Sequence, residues 1–230
     1  GLQSKSGKPF FYKQILDQGK KAIYTNWRAL RFADYLIASS SRDFKDNYKV
    51  RIYLTSDHTT ISSVKYYDLI AAASRRHQVP ISLVYGVIET ESAFNPKARS
   101  GSNAIGLMQI LQRQAGREYF QRIEGYDHVP SESYLFNTAN NVEVGTAYLA
   151  ILANRYLYKI KHATTRQYAV IASYNGGAGN LFKSLSPSGN KAKAINRLNR
   201  MSPPEAYRFI TQRHNREETR NYLKRVKSYQ

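Results

Sequence analysis

The chain has 230 residues, of which 42% are hydrophobic and 13% aromatic, so it can form one large or two small folded domains and is not a disordered segment. It contains no cysteine, which excludes a disulfide framework and thiolate chemistry. Its 35 Lys and Arg residues against 16 Asp and Glu residues give a formal charge of +19. That charge predicts attraction to a polyanion: nucleic acid, anionic lipid or an acidic cell-wall polymer. The alternative is a basic, solvated surface with no specific partner.

The surplus of positive charge lies mainly at the two ends of the chain. Residues 1–62 carry a net charge of +6, residues 63–182 only +4, and residues 183–230 carry +9. No apolar run approaches the roughly 20 residues that a membrane span requires. The sequence begins at Gly1. We interpret this as a processed or engineered start, from which a signal peptide or lipid anchor has been removed.

The first 62 residues are predicted to form a smaller N-terminal α(+β) region. Helical periodicity over 10–39 predicts a helix, and the alternation of polar and apolar residues over 47–55 predicts the one convincing strand. Residues 1–9 are expected to be an unstructured lead, and 55–63 a linker. The core contacts expected from the helix are Ile15, Ile23, Trp27, Leu30 and Leu36.

Residues 63–230 are predicted to form a helical domain, which makes the fold class mainly α. Loops are expected over 96–104, which is rich in Ser, Gly and Asn, and over 125–138. The predicted helices cover 66–77, 81–94, 105–121, 140–158, 166–175, 204–213 and 216–228.

Glu91 is the residue on which the functional prediction depends. It follows Val87 and Ile88 at the spacing that places all three on one face of a helix, so an acid ends an apolar stripe. Asn95-Pro96 is expected to end that helix. Burial and the negative end of the helix dipole would raise the pKa of Glu91, as a general acid requires. The alternative is an ordinary helix-end glutamate paired with a basic residue; Glu89 is expected to be solvated.

Other common catalytic motifs are missing from the sequence. There is no phosphate-binding GxxxxGK[ST], no HExxH and no GxSxG, and the five histidines are scattered, so neither a metal nor another cofactor is predicted. Residues 92–117 contain no acid, so the second carboxylate of an ordinary glycosidase is not supplied nearby. Tyr174-Asn175 precedes a Gly-Gly turn. These two residues either bind sugar or simply belong to a helix C-terminus.

Several motifs together resemble one known family. ESAFNP at 91–96, Ser100, GLMQ at 106–109, SYNGGAG at 173–179 and the segment 213–222 are similar to the soluble-lytic-transglycosylase (goose-lysozyme-like) catalytic domain. The segments 130–136 and 145–150 resemble the membrane-bound lytic murein transglycosylase C type within it. The resemblance covers residues 65–230 and implies a lysozyme-like helical domain over 63–230, preceded by the N-terminal region 1–62.

The resemblance also implies roles for individual residues. Glu91 would be the single catalytic acid/base, and Tyr174 the tyrosine whose hydroxyl lies beside its carboxyl group. Tyr222, with Glu218, would belong to a motif at the far side of the groove. The substrate-binding residues that the resemblance implies are Ser100, Met108, Gln109, Tyr174, Asn175, Glu218 and Tyr222.

The implied activity is non-hydrolytic cleavage of peptidoglycan glycan strands to a 1,6-anhydro sugar, without a cofactor. The implied location is the bacterial periplasm, attached to the outer membrane through a lipidated N-terminus absent from this chain. An anionic outer-membrane surface is a second expected partner, and nucleic acid is not expected. A goose-type lysozyme-like hydrolase and a non-enzymatic basic protein that binds cell wall or nucleic acid are the alternatives. Oligomeric state, exo or endo cleavage and stem-peptide preference are left open.

Overall fold

A computed structural model gives the structure of the chain and describes residues 15–23, 26–39, 52–54 and 58–230. Contacts between Cα atoms divide the chain into two compact units, Gly1–Lys65 and Tyr66–Gln230. Helix α2 (His58–His77) contains this division and begins inside the predicted linker. The assignment of 1–62 and 63–230 as functional domains stays a prediction.

The first unit contains a short antiparallel strand pair. Strand β1 (Ile15–Leu16) pairs with β2 (Tyr53–Leu54), with Ile15 opposite Leu54. Helix α1 (Asn26–Ser39) lies between them in sequence. The strand predicted over 47–55 is confirmed at Tyr53–Leu54, while 40–51 and 55–57 lie outside the described residues. The helix predicted over 10–39 is wrong at Ile15–Leu16, where the backbone is extended.

The predicted core of this region is only partly correct. Ile23 is buried, but Trp27 and Leu30 are 64% and 67% exposed. Their spacing of three residues does place them on one side of α1, together with exposed Ile37. The spacing of apolar residues predicts which of them share a side of a helix, but it does not predict whether another element covers that side. The Arg31 guanidinium lies 4.9 Å from the centre of the Trp27 ring instead.

The unit Tyr66–Gln230 is helical and holds the main core, which confirms the prediction of a mainly α fold. This unit also contains three π-helical turns, at Gln112–Gly116, Phe120–Glu124 and Leu152–Tyr156. After α2, the α-helices are α3 (Ile81–Ser92), α4 (Arg117–Tyr119), α5 (Glu132–Phe136), α6 (Thr138–Ile151), α7 (Ala163–Gly176), α8 (Ala178–Leu185), α9 (Lys191–Asn199), α10 (Pro203–Arg213) and α11 (Glu217–Ser228).

Helix α7 lies at the centre of this unit. It packs against α6, α8, α10 and α11, and α11 also packs against α3. The inward side of α7 is formed by small and branched residues, among them Ala169, Ile171 and Ala172, which are fully buried. Because α11 touches both α3 and α7, it brings the end of the chain to Glu91.

Two predicted helix boundaries are wrong for a backbone reason. Helix α3 ends at Ser92, before Asn95-Pro96, because Ala93 and Phe94 adopt left-handed φ angles of 46° and 59°. Residues 105–111 form a loop instead of the start of a helix, since Gly106 and Gln109 have φ angles of 77° and 48°. The predicted loop 125–138 contains the short helix α5, whose N-cap side chain, Ser131, accepts a hydrogen bond from the amide of Tyr134.

Within the described part of the chain, no helix combines the length and the apolar character that crossing a membrane would need.

Candidate active site

Glu91 lies one residue from the C-terminal end of α3 and is half-buried. Val84, Val87 and Ile88, on the same helix, are each 0% exposed, so the apolar stripe predicted from the sequence does pack into the core. The acid therefore stands where this stripe meets the surface of the domain. The prediction of a partly desolvated carboxyl group at this position is consistent with the structure.

The direct partner of Glu91 is Tyr222 of helix α11. The Tyr222 hydroxyl donates a hydrogen bond of 2.7 Å to Glu91 Oε1. Tyr222 is 1% exposed, so this phenol lies beneath the acid and is not open to a substrate. Burial raises the pKa of Tyr222 well above its usual value, which keeps the hydroxyl protonated and able to donate.

The carboxyl group of Glu91 is the most strongly perturbed acid of this site. Burial raises its pKa from 4.5 to about 7, the hydrogen bond from Tyr222 opposes that rise, and the negative charge of Glu218 adds to it. The positive charge of Arg225 acts in the opposite direction. A carboxyl group with this pKa is protonated in a large fraction of molecules near neutral pH, so it can act as a general acid.

Tyr174 is a neighbour of Glu91, but its hydroxyl forms its hydrogen bond elsewhere. Its hydroxyl donates a 2.8 Å hydrogen bond to the backbone carbonyl of Met108. Burial raises the pKa of Tyr174 well above its usual value, and the charge of Glu91 contributes to this shift, so the two groups are neighbours. Both tyrosines therefore lie close to the acid: Tyr222 bonds to it directly, and Tyr174 holds the loop.

Asn175 links α7 to the first turn of α11. Its Nδ2 donates to Glu218 Oε1 at 3.0 Å, and its Oδ1 accepts from the Thr219 hydroxyl at 2.7 Å. The other oxygen of Glu218, Oε2, lies 3.8 Å from Arg216 Nη2, and the Glu218 side chain is 63% exposed. Asn175 has both polar atoms engaged, and Glu218 is the more accessible of the pair.

Gly176 allows this close approach of the two helices. A Cβ atom built at Gly176 would lie 2.5 Å from Thr219 Oγ1 and 3.4 Å from His214 Cε1. Neither Thr219 nor His214 has room to retreat, because Thr219 and His214 are both buried. Glycine at this position therefore permits the hydrogen bond between Thr219 and Asn175.

The loop opposite α7 depends on Asn141, which the sequence analysis missed. Its Oδ1 accepts from the Met108 amide at 2.8 Å, and its Nδ2 donates to the carbonyls of Ile105 and Leu135 at 2.8 and 2.9 Å. Asn141 is 1% exposed. A Cβ atom at Gly106 would lie 2.4 Å from Asn141 Nδ2, so only glycine fits there. The signal in the sequence that could have identified Asn141 was a polar residue on a buried side of the predicted helix 140–158.

The Met108 side chain is not placed to contact substrate, contrary to the prediction. That side chain is fully buried and packs against Gly145, where a Cβ atom would lie 2.4 Å from the Met108 sulfur. What Met108 contributes to the site is its backbone, which joins Asn141 to Tyr174.

Ser100 and Gln109 hold the loop that follows Glu91. Ser100 Oγ accepts from the Ala104 amide at 3.0 Å. Gln109 Nε2 donates to the carbonyls of Ala98 and Gly106 at 3.2 and 2.9 Å. Both residues are half-buried. Their assignment as substrate-binding residues stays a prediction.

Two further observations concern the acids and possible metal ligands. Glu89, expected to be solvated, is half-buried, and its Oε2 is inaccessible to solvent. Across residues 15–23, 26–39, 52–54 and 58–230, no three His, Cys, Asp or Glu side chains cluster in a way that could hold a metal ion.

The helical fold agrees with the comparisons to known proteins. The family model for the transglycosylase SLT domain matches residues 68–196, more than half of the chain, so the chain belongs to this family. A second model, for the N-terminal domain of membrane-bound lytic murein transglycosylase C, matches residues 3–65.

Relatives and solved structures agree with this assignment. The chain is 42% identical over 229 residues to the membrane-bound lytic murein transglycosylase C of Yersinia enterocolitica and 43% identical to that of Salmonella typhimurium. Each alignment covers 98% of this chain and 63% of the relative, so the chain spans under two thirds of their length. The soluble lytic transglycosylase SLT70 of Escherichia coli matches at 23% identity with a TM-score of 0.52, over 71% of this chain and 23% of that one. This likeness confirms the predicted fold.

Proposed function

We propose that the chain is a peptidoglycan lytic transglycosylase with Glu91 as its single acid/base. One observation carries the proposal: Glu91, on the apolar side of α3, accepts a hydrogen bond from a buried tyrosine and has a pKa raised to about 7. Membership of the transglycosylase SLT family and the names of the relatives support the substrate, a murein glycan strand.

In the proposed reaction, protonated Glu91 donates its proton to the glycosidic oxygen between N-acetylmuramic acid and N-acetylglucosamine. The resulting carboxylate then accepts the proton of the muramic C6 hydroxyl, whose oxygen attacks the anomeric carbon. One acid therefore serves both half-steps, and the product is a 1,6-anhydro sugar. The 2-acetamido group of the substrate stabilises positive charge at the anomeric carbon, as in substrate-assisted glycosidases.

The residues around Glu91 have distinct supporting roles in this proposal. Tyr222 stabilises the carboxylate that forms after proton donation, because its hydrogen bond lowers the pKa of Glu91. Asn175 and Glu218 bind sugar groups at the exposed side of the acid, and Ser100 and Gln109 line the adjoining loop. Tyr174 and Met108 keep that loop at a fixed distance from α7.

A second candidate, a hydrolase of the goose-lysozyme type, is favoured by Glu218. Residues 92–117 lack an acid, but α11 brings the Glu218 carboxylate close enough to raise the pKa of Glu91. A hydrolase would use such a carboxylate to activate water. In the transglycosylase, Glu218 only binds substrate and tunes Glu91.

Mass spectrometry of the products from purified sacculi separates the two reactions. A transglycosylase yields 1,6-anhydro muramic ends, and Glu218→Gln leaves the type of end unchanged. Reducing muramic ends from the wild type, lost in Glu218→Gln, would establish the hydrolase instead. Glu217→Gln, which removes an exposed charge from the same helix turn, is the matched control.

We also propose that the protein acts in the periplasm at the outer membrane, where a lipidated N-terminus beyond this chain and an anionic membrane surface hold it. The support is the match of residues 3–65 to the N-terminal domain of a membrane-bound type and the charge of +19. Fractionation of cells that express the full-length protein tests this. Recovery in the soluble periplasmic fraction, without lipid on the purified protein, would contradict it.

A further inference from the structure

A basic cleft lies in the unit Tyr66–Gln230, and none of the residues assigned to the Glu91 site lines it. The cleft has a volume of roughly 870 Å³ and is formed by the segment 158–161, by Arg166 at the start of α7 and by residues of α9. Four of its lining residues are basic: Lys159, Lys161, Arg166 and Lys191. None of the described residues that line the cleft is acidic. A concave surface with this charge selects for an anion.

Arg166 supplies the second, independent observation. Its Nε–H group is inaccessible to solvent and has no hydrogen-bond partner among the described residues. A buried donor on a charged group that lacks an acceptor costs free energy, so native structures rarely retain one without a reason. Arg166 also lines a smaller neighbouring cleft of roughly 440 Å³, whose described lining holds no carboxylate either. Because Arg166 also lines the basic cleft, a turn of its side chain would bring this donor to an oxyanion bound there.

The walls of the cleft are held in place without such a ligand. Asn199 of α9 donates to the Lys159 carbonyl at 3.0 Å and accepts from the Lys161 amide at 2.8 Å, which fixes the segment between them. Lys191 Nζ lies 3.4 Å from the carbonyl of Arg155 and 5.7 Å from the centre of the Tyr156 ring. Three of the four basic residues are thus on elements with a defined position, which lowers the cost of binding.

We propose that this cleft binds a carboxylate group of a peptide, namely the stem peptide carried by the glycan strand that Glu91 cleaves. The inference rests on the proposed function, because the substrate then brings its own carboxylates. Arg recognises carboxylates through paired hydrogen bonds. Arg166 and Tyr174 are eight residues apart on α7, about 12 Å along the helix axis. An extended peptide of four residues has a length of about 13 Å, which is of the same order as this separation.

The direct test measures binding of a free peptide by titration followed with NMR. The probe is the tetrapeptide Ala-Glu-Lys-Ala with free carboxylates, compared with Ala-Gln-Lys-Ala-amide, which has none. The wild type should bind the acidic peptide, and Arg166→Met should weaken binding about tenfold or more, since a charge-assisted hydrogen bond is lost. Lys161→Gln, at an exposed position, should weaken it less and serves if Arg166→Met does not fold. Lys193→Gln, on the same helix α9 but outside the cleft, should bind as the wild type does.

Two results would overturn the proposal. One is equal binding of the acidic and the amidated peptide, or unchanged binding in Arg166→Met and Lys161→Gln. The other is binding of vesicles that contain phosphatidylglycerol, weakened by both substitutions, with no binding of the peptide, which would assign the cleft to lipid phosphate.

Cleavage assays distinguish failure of this inference from failure of the proposed function. Arg166→Met should slow cleavage of peptide-bearing strands about tenfold and leave cleavage of peptide-free strands unchanged. Equal slowing of both substrates would contradict the inference while the proposed function stands. If the wild type cleaves neither substrate, the proposed function is wrong, and the peptide titration still decides what the cleft binds.

Discussion

The two ends of helix α7 present opposite chemistry. At its C-terminal end, Tyr174 and Asn175 adjoin two acids, Glu218 and Glu91, and burial raises the pKa of Glu91 to about 7. In its first turn and a half, Arg166 faces a cleft lined by cations and neutral groups. The contrast shows that the cations of the cleft do not shift the pKa of Glu91, on which Arg225 of α11 is the cation that acts. A cation in contact with that carboxyl group would lower its pKa and remove the proton that the proposed reaction needs.

Both regions also use an asparagine side chain to hold a loop. Asn141 is 1% exposed and makes three hydrogen bonds to backbone groups, whereas Asn199 is half-buried and makes two. The loop beside the acid is therefore fixed from inside the core, and the segment beside the cleft from the surface.

The largest effect is expected at Glu91, because it is the group proposed to transfer the proton. Glu91→Gln should lower kcat by about 10²- to 10⁴-fold on sacculi, with little change in KM. Turbidity loss and quantified anhydro ends provide the measurement, and Glu217→Gln is the control. Retention of more than about a tenth of the wild-type rate would exclude Glu91 as the acid.

The free energy of unfolding should depend on pH through the same group. Its folded pKa of about 7 lies above the value of 4.5 for an exposed glutamate, so the folded state binds more protons between these two pH values. Stability is thus fully present below pH 4.5 and declines until about pH 7, by about 3 kcal/mol relative to Glu91→Gln. Urea unfolding of both proteins at pH 4.5, 6 and 8 measures this. A difference between the two proteins that stays constant with pH would contradict the raised pKa.

The two asparagines should differ in how much stability they provide. Asn141→Ala removes the acceptor of the buried Met108 amide and a donor to the Leu135 and Ile105 carbonyls, of which Ile105 keeps its bond from the Ile110 amide. It should lower the free energy of unfolding by about 3 kcal/mol. Asn199→Ala exposes its former partners to water and should cost about 1 kcal/mol. Chemical denaturation compares the two variants. Equal losses would show that burial does not separate the two regions as described.

The smallest expected effect is a change in the pKa of Glu91. The hydrogen bond from Tyr222 lowers the pKa of Glu91, so Tyr222→Phe should raise it by about one unit. The alkaline limb of the pH profile of kcat/KM would move to higher pH by the same amount. Tyr174→Phe, which loses a bond to a backbone carbonyl, should leave the limb in place. A shift in Tyr174→Phe alone would show that Tyr174, and not Tyr222, donates to the Glu91 carboxylate.

The features predicted correctly from the sequence are those that depend on residues close together in the chain. The spacing of Val87, Ile88 and Glu91 was sufficient to place an acid at the edge of the core, because helical geometry alone decides it. The bond between Tyr222 and Glu91 joins residues 131 positions apart, and no local pattern encodes which of two tyrosines reaches the acid. The predicted burial of Trp27 was wrong for the same reason, because a helical pattern does not show which other element covers that side of the helix.

Loop geometry was the other limit of prediction. Residues 105–111 have a composition compatible with a helix, but a left-handed Gln109 and the buried amide of Asn141 form a loop there. That loop depends on a side chain more than 30 residues away.

The distance in sequence between Glu91 and Tyr222 also orders events during synthesis. When the ribosome has made α3, the hydroxyl donor of the acid and the helix that carries Glu218 do not yet exist. A nascent chain therefore holds an ordinary exposed glutamate, with an ordinary acidity, until α11 has been translated and docked. The raised pKa that the proposed acid catalysis needs is therefore acquired late, when α11 docks against α3.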